Sequence, residues 1–374
     1  GMAEGNFNED GIEQFVWGVN KIKVMIEDEC YLWNVRSHDL TLKHFPYLKN
    51  RIGVCGAVGF DRYKIAIEYG ADWLNTGGEK YDLVVGVGCW NYDFTIEDSY
   101  CFKLFNGLEI DNEALARFRS DRDAFNQELV SLIESNPNVL FLVKLHPGCL
   151  EGDYSSAIKG IRDFDNAIIG KNEFSVMQAI AVSDVWLTYE STTAVEAWLM
   201  GTPTALLNPS GTDFPFREGF HLGQPNFSSA AKWSEVLKKL FETGTLDGFE
   251  DYSEYREEII SDMIQWGDGL NHVRMGNAIY DFLNSPMAKS PDAQFGFMDF
   301  LKRIKRKAIW SVRKFLKVLP ASVVGGYIKY AHWDYSLVNA LSEKRLVQQK
   351  QFYQESGFSL EALMDIKAVP PSDS

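Results

Sequence analysis

The chain has 374 residues, with 37 Lys+Arg against 52 Asp+Glu and a formal net charge of −15. Hydrophobic residues make up 45% and aromatic residues 14%, enough to bury a sizeable core, so wholesale disorder is excluded. The acidic balance excludes a general nucleic-acid binder, because phosphate contacts need a basic face.

The N-terminus lacks the basic, apolar and small-residue order of a signal peptide, and no run approaches the ~18 apolar residues of a membrane-spanning helix. Cys30, Cys55, Cys89, Cys101 and Cys149 are odd in number, scattered and without a CxxC pair. They read as reduced thiols of a cytoplasmic protein rather than a disulfide framework or a zinc site. In chain order, Gly1 to Asp10 reads as a loop and Gln14–Trp17 as a short buried strand ending at Gly18. Arg51–Cys55 is a second strand. No full sheet precedes these two, so residues 1–75 read as a remnant or the end of an N-terminal domain.

A fresh pattern begins near Tyr81. Asp82–Gly88 is a continuous apolar run, as expected of a strand buried on both faces of a parallel sheet. Asp111–Glu134 has helical spacing through Leu115, Phe118, Phe125, Leu129, Leu132 and Ile133. Strands follow at Val139–Val143, Asn166–Ile169, Asp184–Thr188 and Thr204–Leu207, with helices at Glu173–Ala181, Thr192–Met200 and Ala230–Phe241. This alternation predicts an α/β fold over 76–290, a Rossmann-like domain with a parallel sheet. From Asp251 onward the chain reads helical, broken at Pro320 and Gly325-Gly326, which leaves 291–374 as a helical tail.

Two segments place polar groups at strand ends, where open parallel sheets bind ligands. Lys144-Leu-His146-Pro147 follows a strongly apolar strand, so His146 sits at the rim as a potential acid, base or phosphate donor. It reads equally as a turn histidine satisfying backbone groups. Ser191, Thr192 and Thr193 are good caps for the next helix, whose N-terminus favours an anion. Glu196, one turn in, can accept hydrogen bonds from a sugar or ribose. The bland alternative is a capping box between Thr193 and Glu196.

Together, Lys144–Pro147 and Asp184–Pro203, about forty residues apart, resemble the C-terminal nucleotide-binding half of GT-B-type glycosyltransferases of the surface-carbohydrate (capsule or lipopolysaccharide) group. They are also similar to UDP-N-acetylglucosamine 2-epimerases and CDP-glycerol glycerophosphotransferases. The resemblance implies a UDP- or CDP-linked donor, no bound cofactor and no bound metal. It gives His146 a catalytic or phosphate-supporting role and makes Ser191, Thr192 and Thr193 phosphate contacts. Lys144 joins them in donor binding, and Glu196 becomes the ribose acceptor. Gly201-Thr-Pro203 matches a packing feature before the next strand. Val54–Asp61 is similar to the family's TG-N-P-R-x-D stretch, but Cys55 replaces the Thr and Val58-Gly59 the Pro-Arg. Asp268-Gly269, with Arg274 a turn later, matches a late loop and helix, where Arg274 reaches a donor phosphate or forms a salt bridge. Gly1 precedes Met2 and fits a glycine of the family's domain cleft, which implies that most of a first Rossmann-like domain lies upstream.

Phe295–Leu319 carries eight Lys and Arg against the single acid Asp299, a local +7 beside a remainder at −22. Phe297, Leu301, Ile304, Ala308, Val312, Phe315 and Leu319 form one apolar stripe. Such a helix can lie on an anionic membrane surface or pack on the chain's own acidic body. The expected function is a glycosyltransferase with a carbohydrate or lipid-linked acceptor, cytoplasmic and peripheral on the inner face of the cell membrane. A CDP-glycerol-type phosphotransferase or 2-epimerase on the same scaffold, and an inactive assembly partner, are the alternatives.

Overall fold

The computed structural model describes residues 29–65, 80–89, 95, 112–146, 160–170, 173–189, 191–211, 219–285 and 360–370. The expected strand at 14–17 and the basic segment 295–319 lie outside them. The chain divides into two compact units, Gly1–Met275 with Ala368–Ser374, and Gly276–Lys367.

In the first unit, β1 (Cys30–Leu32), α1 (Val35–His44) and β2 (Ile52–Val54) form a small parallel βαβ element. Asn34 starts α1: its side chain accepts from Ser37 N–H, and its amide donates to the Met263 carbonyl at 2.6 Å. Val54 and Val369 exchange two backbone hydrogen bonds of 2.8 Å in an isolated antiparallel bridge. The expected strand at 51–55 is thus present, whereas β1 was not read from the sequence.

The main sheet is built from β3 (Leu83–Gly88), β4 (Val139–Lys144), β5 (Ala167–Gly170), β6 (Val185–Thr188), β7 (Thr204–Leu207) and β8 (Asn226–Phe227). Its order is β5-β4-β3-β6-β7-β8, and every pair is parallel. This is the doubly wound order of a Rossmann-like sheet, so the predicted α/β class holds. Alternate strand residues reach opposite faces. Val85, Val87, Phe141, Val143, Val185 and Leu187 pack with Phe125, Leu129 and Leu132 of α3 (Asn112–Ser135) and Trp233 and Leu237 of α6 (Ala230–Thr243). On the other face, Trp186 packs with Ala179 and Ile180 of α4 (Val176–Ala181) and Ala197 of α5 (Thr193–Met200). The strands are buried on both faces, which is why they read as apolar runs rather than alternating ones.

A second core joins Ala57 and Tyr63 to Val195, Leu199, Met263 and Ile264. Tyr63 belongs to the single turn α2 (Asp61–Lys64), and Met263 and Ile264 end α7 (Ser253–Ile264). α8 (Asn271–Asn284) follows. Within the second unit, the Asn277 amide donates to the carbonyls of Leu363 and Ile366 at 2.8 Å, closing the end of α9 (Leu360–Met364). Among the described residues no helix is long and apolar enough to cross a membrane. Among the described residues Cys30, Cys55 and Cys89 form no disulfide, and burial pushes the Cys55 thiol up to about 12.

Candidate functional site

Strand order reverses between β3 and β6, and beyond the carboxyl ends of the strands at such a point open parallel sheets bind their ligands. Gly88 ends β3 and is in register with Lys144 of β4 on one side and Thr188 of β6 on the other. Lys144 and Thr188 are therefore two strand spacings apart, about 10 Å. The Lys144 stem is buried, and its ammonium lies 5.6 Å from the Phe174 ring centroid. His146, half-buried, follows two residues later.

Ser191–Thr193 folds over the end of β3. A methyl group on Gly88 would collide with Thr193 Oγ1, so only glycine lets the helix start approach this closely. Thr193 N–H and its hydroxyl both donate to Ser191 Oγ, at 3.3 and 3.0 Å, while the Trp186 indole N–H donates to Thr193 Oγ1 at 3.0 Å. Thr192 holds the cap position with no side-chain cap bond. The capping box between Thr193 and Glu196 is absent: Thr193 is the first residue inside the helix, and Trp186 and Ser191 occupy its hydroxyl. The first-turn amides are not open either. Ala194 N–H donates to the Ser191 carbonyl, and Val195 and Glu196 N–H donate to that of Thr192. An anion at this helix start has to exchange with those local bonds, although the dipole still favours it.

Glu196 instead turns toward α2, which packs on α5. The Tyr63 hydroxyl and the Arg62 charge both act on its carboxyl. Arg62 Nη2 donates to Tyr63 Oη at 2.7 Å, and the guanidinium carbon stands 4.7 Å from that ring's centroid. Glu196 Oε2 is buried and has no hydrogen-bond partner in the protein. The residue as a whole is half-buried. Burial pushes this carboxyl up from 4.5 to about 7, against the pull of the Tyr63 hydroxyl and the Arg62 charge. Burial and the neighbouring carboxylate likewise raise Tyr63 well above the ordinary phenol range.

Arg274 is engaged within its own segment. It forms a fork on Asp268 at 2.8 and 2.6 Å, stacks 4.2 Å from the Trp266 ring centroid, and donates to Asn271 Oδ1 at 3.4 Å. Burial raises the Asp268 carboxyl, but the Arg274 and Leu270 hydrogen bonds outweigh it and hold the group below its usual range. The salt bridge foreseen as one of the two roles of Arg274 is what the geometry displays.

The sequence reading missed Arg62, Tyr63 and His272. Asp61, buried, accepts from Asn271 Nδ2 at 2.8 Å, from His272 N–H at 2.6 Å and from His272 Nδ1 at 2.7 Å. Gly56, at φ +83, leaves room for the Asn271 amide that any side chain would fill. Val54–Asp61 and Asp268–Arg274, both singled out in the sequence, thus meet through Asp61. Their spacing carries no signal of that meeting, because the pairing is tertiary.

No family model matches the chain, and no curated protein does. Solved structures similar to it include a putative UDP-N-acetylglucosamine 2-epimerase from Listeria monocytogenes, at 14% identity over 69% of this chain, with a TM-score of 0.39. The wall teichoic acid polymerase TagF is similar at 15% identity over 68% of this chain, with a TM-score of 0.40. MnaA from S. aureus, in a co-structure with UDP, is similar at 13% identity over 69%, with a TM-score of 0.42. The chain spans 59%, 58% and 62% of the lengths of those three.

Proposed function

We propose that this chain binds a nucleotide-activated sugar across the ends of β3 and β6 and acts as a GT-B-like glycosyltransferase in surface polysaccharide assembly. The observation that carries the reading is Glu196: a carboxyl one turn into the helix at the strand-order reversal, with one oxygen buried and unsatisfied. A buried acceptor in that condition costs free energy that a ligand donor recovers. The ribose hydroxyls of the donor supply that donor. The diphosphate then points toward Ser191–Thr193 and Lys144, where the helix dipole and the ammonium stabilise the charge that develops on the leaving group. His146, on the neighbouring strand end, supports the phosphates or transfers a proton.

The acceptor is a carbohydrate or lipid-linked sugar, and the basic segment 295–319 holds the protein at the inner face of an anionic membrane. Calorimetric titration with UDP, CDP and their sugar or glycerol conjugates tests the donor assignment. Saturable binding of at least one nucleotide is expected, and absence of heat with all of them rejects it. Product analysis with UDP-sugars beside CDP-glycerol then separates sugar transfer, 2-epimerisation and glycerophosphate transfer.

A further inference from the structure

A second pair of titratable groups stands outside the Ser191–Glu196 turn. The Asp61 carboxylate takes donors on both oxygens: Asn271 Nδ2 on Oδ1 at 2.8 Å, and the His272 N–H and Nδ1 on Oδ2 at 2.6 and 2.7 Å. A carboxylate engaged in this way only accepts, so the imidazole proton is assigned to Nδ1 and Nε2 becomes the ring's acceptor nitrogen. Capping α8 needs the backbone N–H alone; the bond to Nδ1 orients the ring as well. The Asp61 side chain is 4% exposed and that of His272 26%, so the carboxylate is shut off from water while the imidazole can be reached.

The pair lies where a ligand of the sheets can meet it. Asp61 opens α2 after the loop that leaves the carboxyl end of β2, and α2 packs on α5, the helix that carries Glu196. The loop itself is shaped for the contact, since a side chain at Gly56 would collide with the Asn271 amide beside the pair. We infer that Asp61 and His272 form an acid–base pair, in which Asp61 is the positioning residue and His272 Nε2 is the general base for the attacking hydroxyl of the acceptor. The inference rests on the sugar-transfer reading above and adds to it a base drawn from α2 and α8. In that step the acceptor oxygen bonds to the anomeric carbon as the bond from that carbon to the diphosphate oxygen breaks. The electron pair leaves with the diphosphate, the hydroxyl proton passes to Nε2, and Asp61 stabilises the imidazolium that forms.

Two measurements on the full chain test the pair. Side-chain ¹⁵N NMR of histidine-labelled protein, with His272 assigned by His272→Asn, reads the tautomer without any substrate. A ring protonated at Nδ1 and bare at Nε2 is expected in the wild type, with the proton moved to Nε2 in Asp61→Asn, where the amide donates to Nδ1. A wild-type ring protonated at Nε2 overturns the inference, and it does so even if the variants fail to fold.

The second measurement is sugar transfer from the nucleotide sugar that the wild type uses. His272→Asn keeps a side-chain N–H for Asp61 but has no imidazole nitrogen to take the proton. Its kcat is expected to fall about a hundredfold or more at an unchanged donor KM, with the urea midpoint held. A kcat near that of the wild type overturns the base role and leaves Asp61 and His272 a structural tie. A wild type that transfers sugar from no donor rejects the transfer reading and the base role with it, whereas an active wild type beside an equally active His272→Asn rejects the base role alone.

Discussion

Glu196 is a residue that the fold does not need in its ionised form. Its carboxyl ionises near pH 7 in the folded protein and near 4.5 in the open chain, so the folded state binds more protons between those values. Stability therefore falls as pH climbs through that window and levels off above it. Glu196→Gln removes this slope. Urea midpoints at pH 5 and pH 8 should show the variant gaining on the wild type with rising pH, by on the order of a few kcal/mol. Parallel curves would contradict the buried-carboxyl account. The placement of the candidate site was legible at this scale: Lys144 ends β4 with His146 two residues on, Ser191–Thr193 follows β6, and Glu196 lies in the first turn of α5. What packs beside Glu196 was not legible, because the helix that carries Arg62 and Tyr63 meets α5 only through tertiary packing. The same limit applies to capping. Ser175 and Gln178 form a complete capping box, whereas Thr193 and Glu196, at the same spacing, form none because the Trp186 indole takes the threonine hydroxyl.

At the scale of elements, the long apolar strands and amphipathic helices were read correctly because burial on both faces, or on one stripe, is written directly into the residue pattern. β1 and β8, three and two residues long, carry too few positions for a period. They exist because neighbours supply the ladder, as when Asn208 N–H donates to the Phe227 carbonyl at 3.1 Å. The α4 start moved from Glu173 to Val176 because Ser175 caps it. The junction of β3 with α5 is the element contact on which the site depends. Gly88→Ala drives a methyl into Thr193 Oγ1 and approaches Trp186 Nε1 to 2.9 Å. It should cost about 1–3 kcal/mol in urea unfolding. Nucleotide affinity should fall with it, because the Ser191–Thr193 turn is displaced. Wild-type stability together with wild-type affinity would contradict this placement.

For the whole molecule, the net charge of −15 averages an acidic body and one basic segment at 295–319. That segment lies outside the described residues. Flotation of the full chain with vesicles should show binding to anionic but not to zwitterionic lipid, with loss at high salt, as each basic residue adds ~1 kcal/mol near such a surface. Failure to float with anionic vesicles would remove the membrane from the account. The central claim is that a nucleotide's ribose completes the Glu196 carboxyl. It is tested most directly by calorimetric titration of UDP and CDP into wild type and Glu196→Ala at pH 8, where the carboxyl is ionised. The account predicts binding to the wild type that weakens at least about tenfold in the variant, the loss of a charge-assisted hydrogen bond. Equal affinity in the two proteins would contradict it.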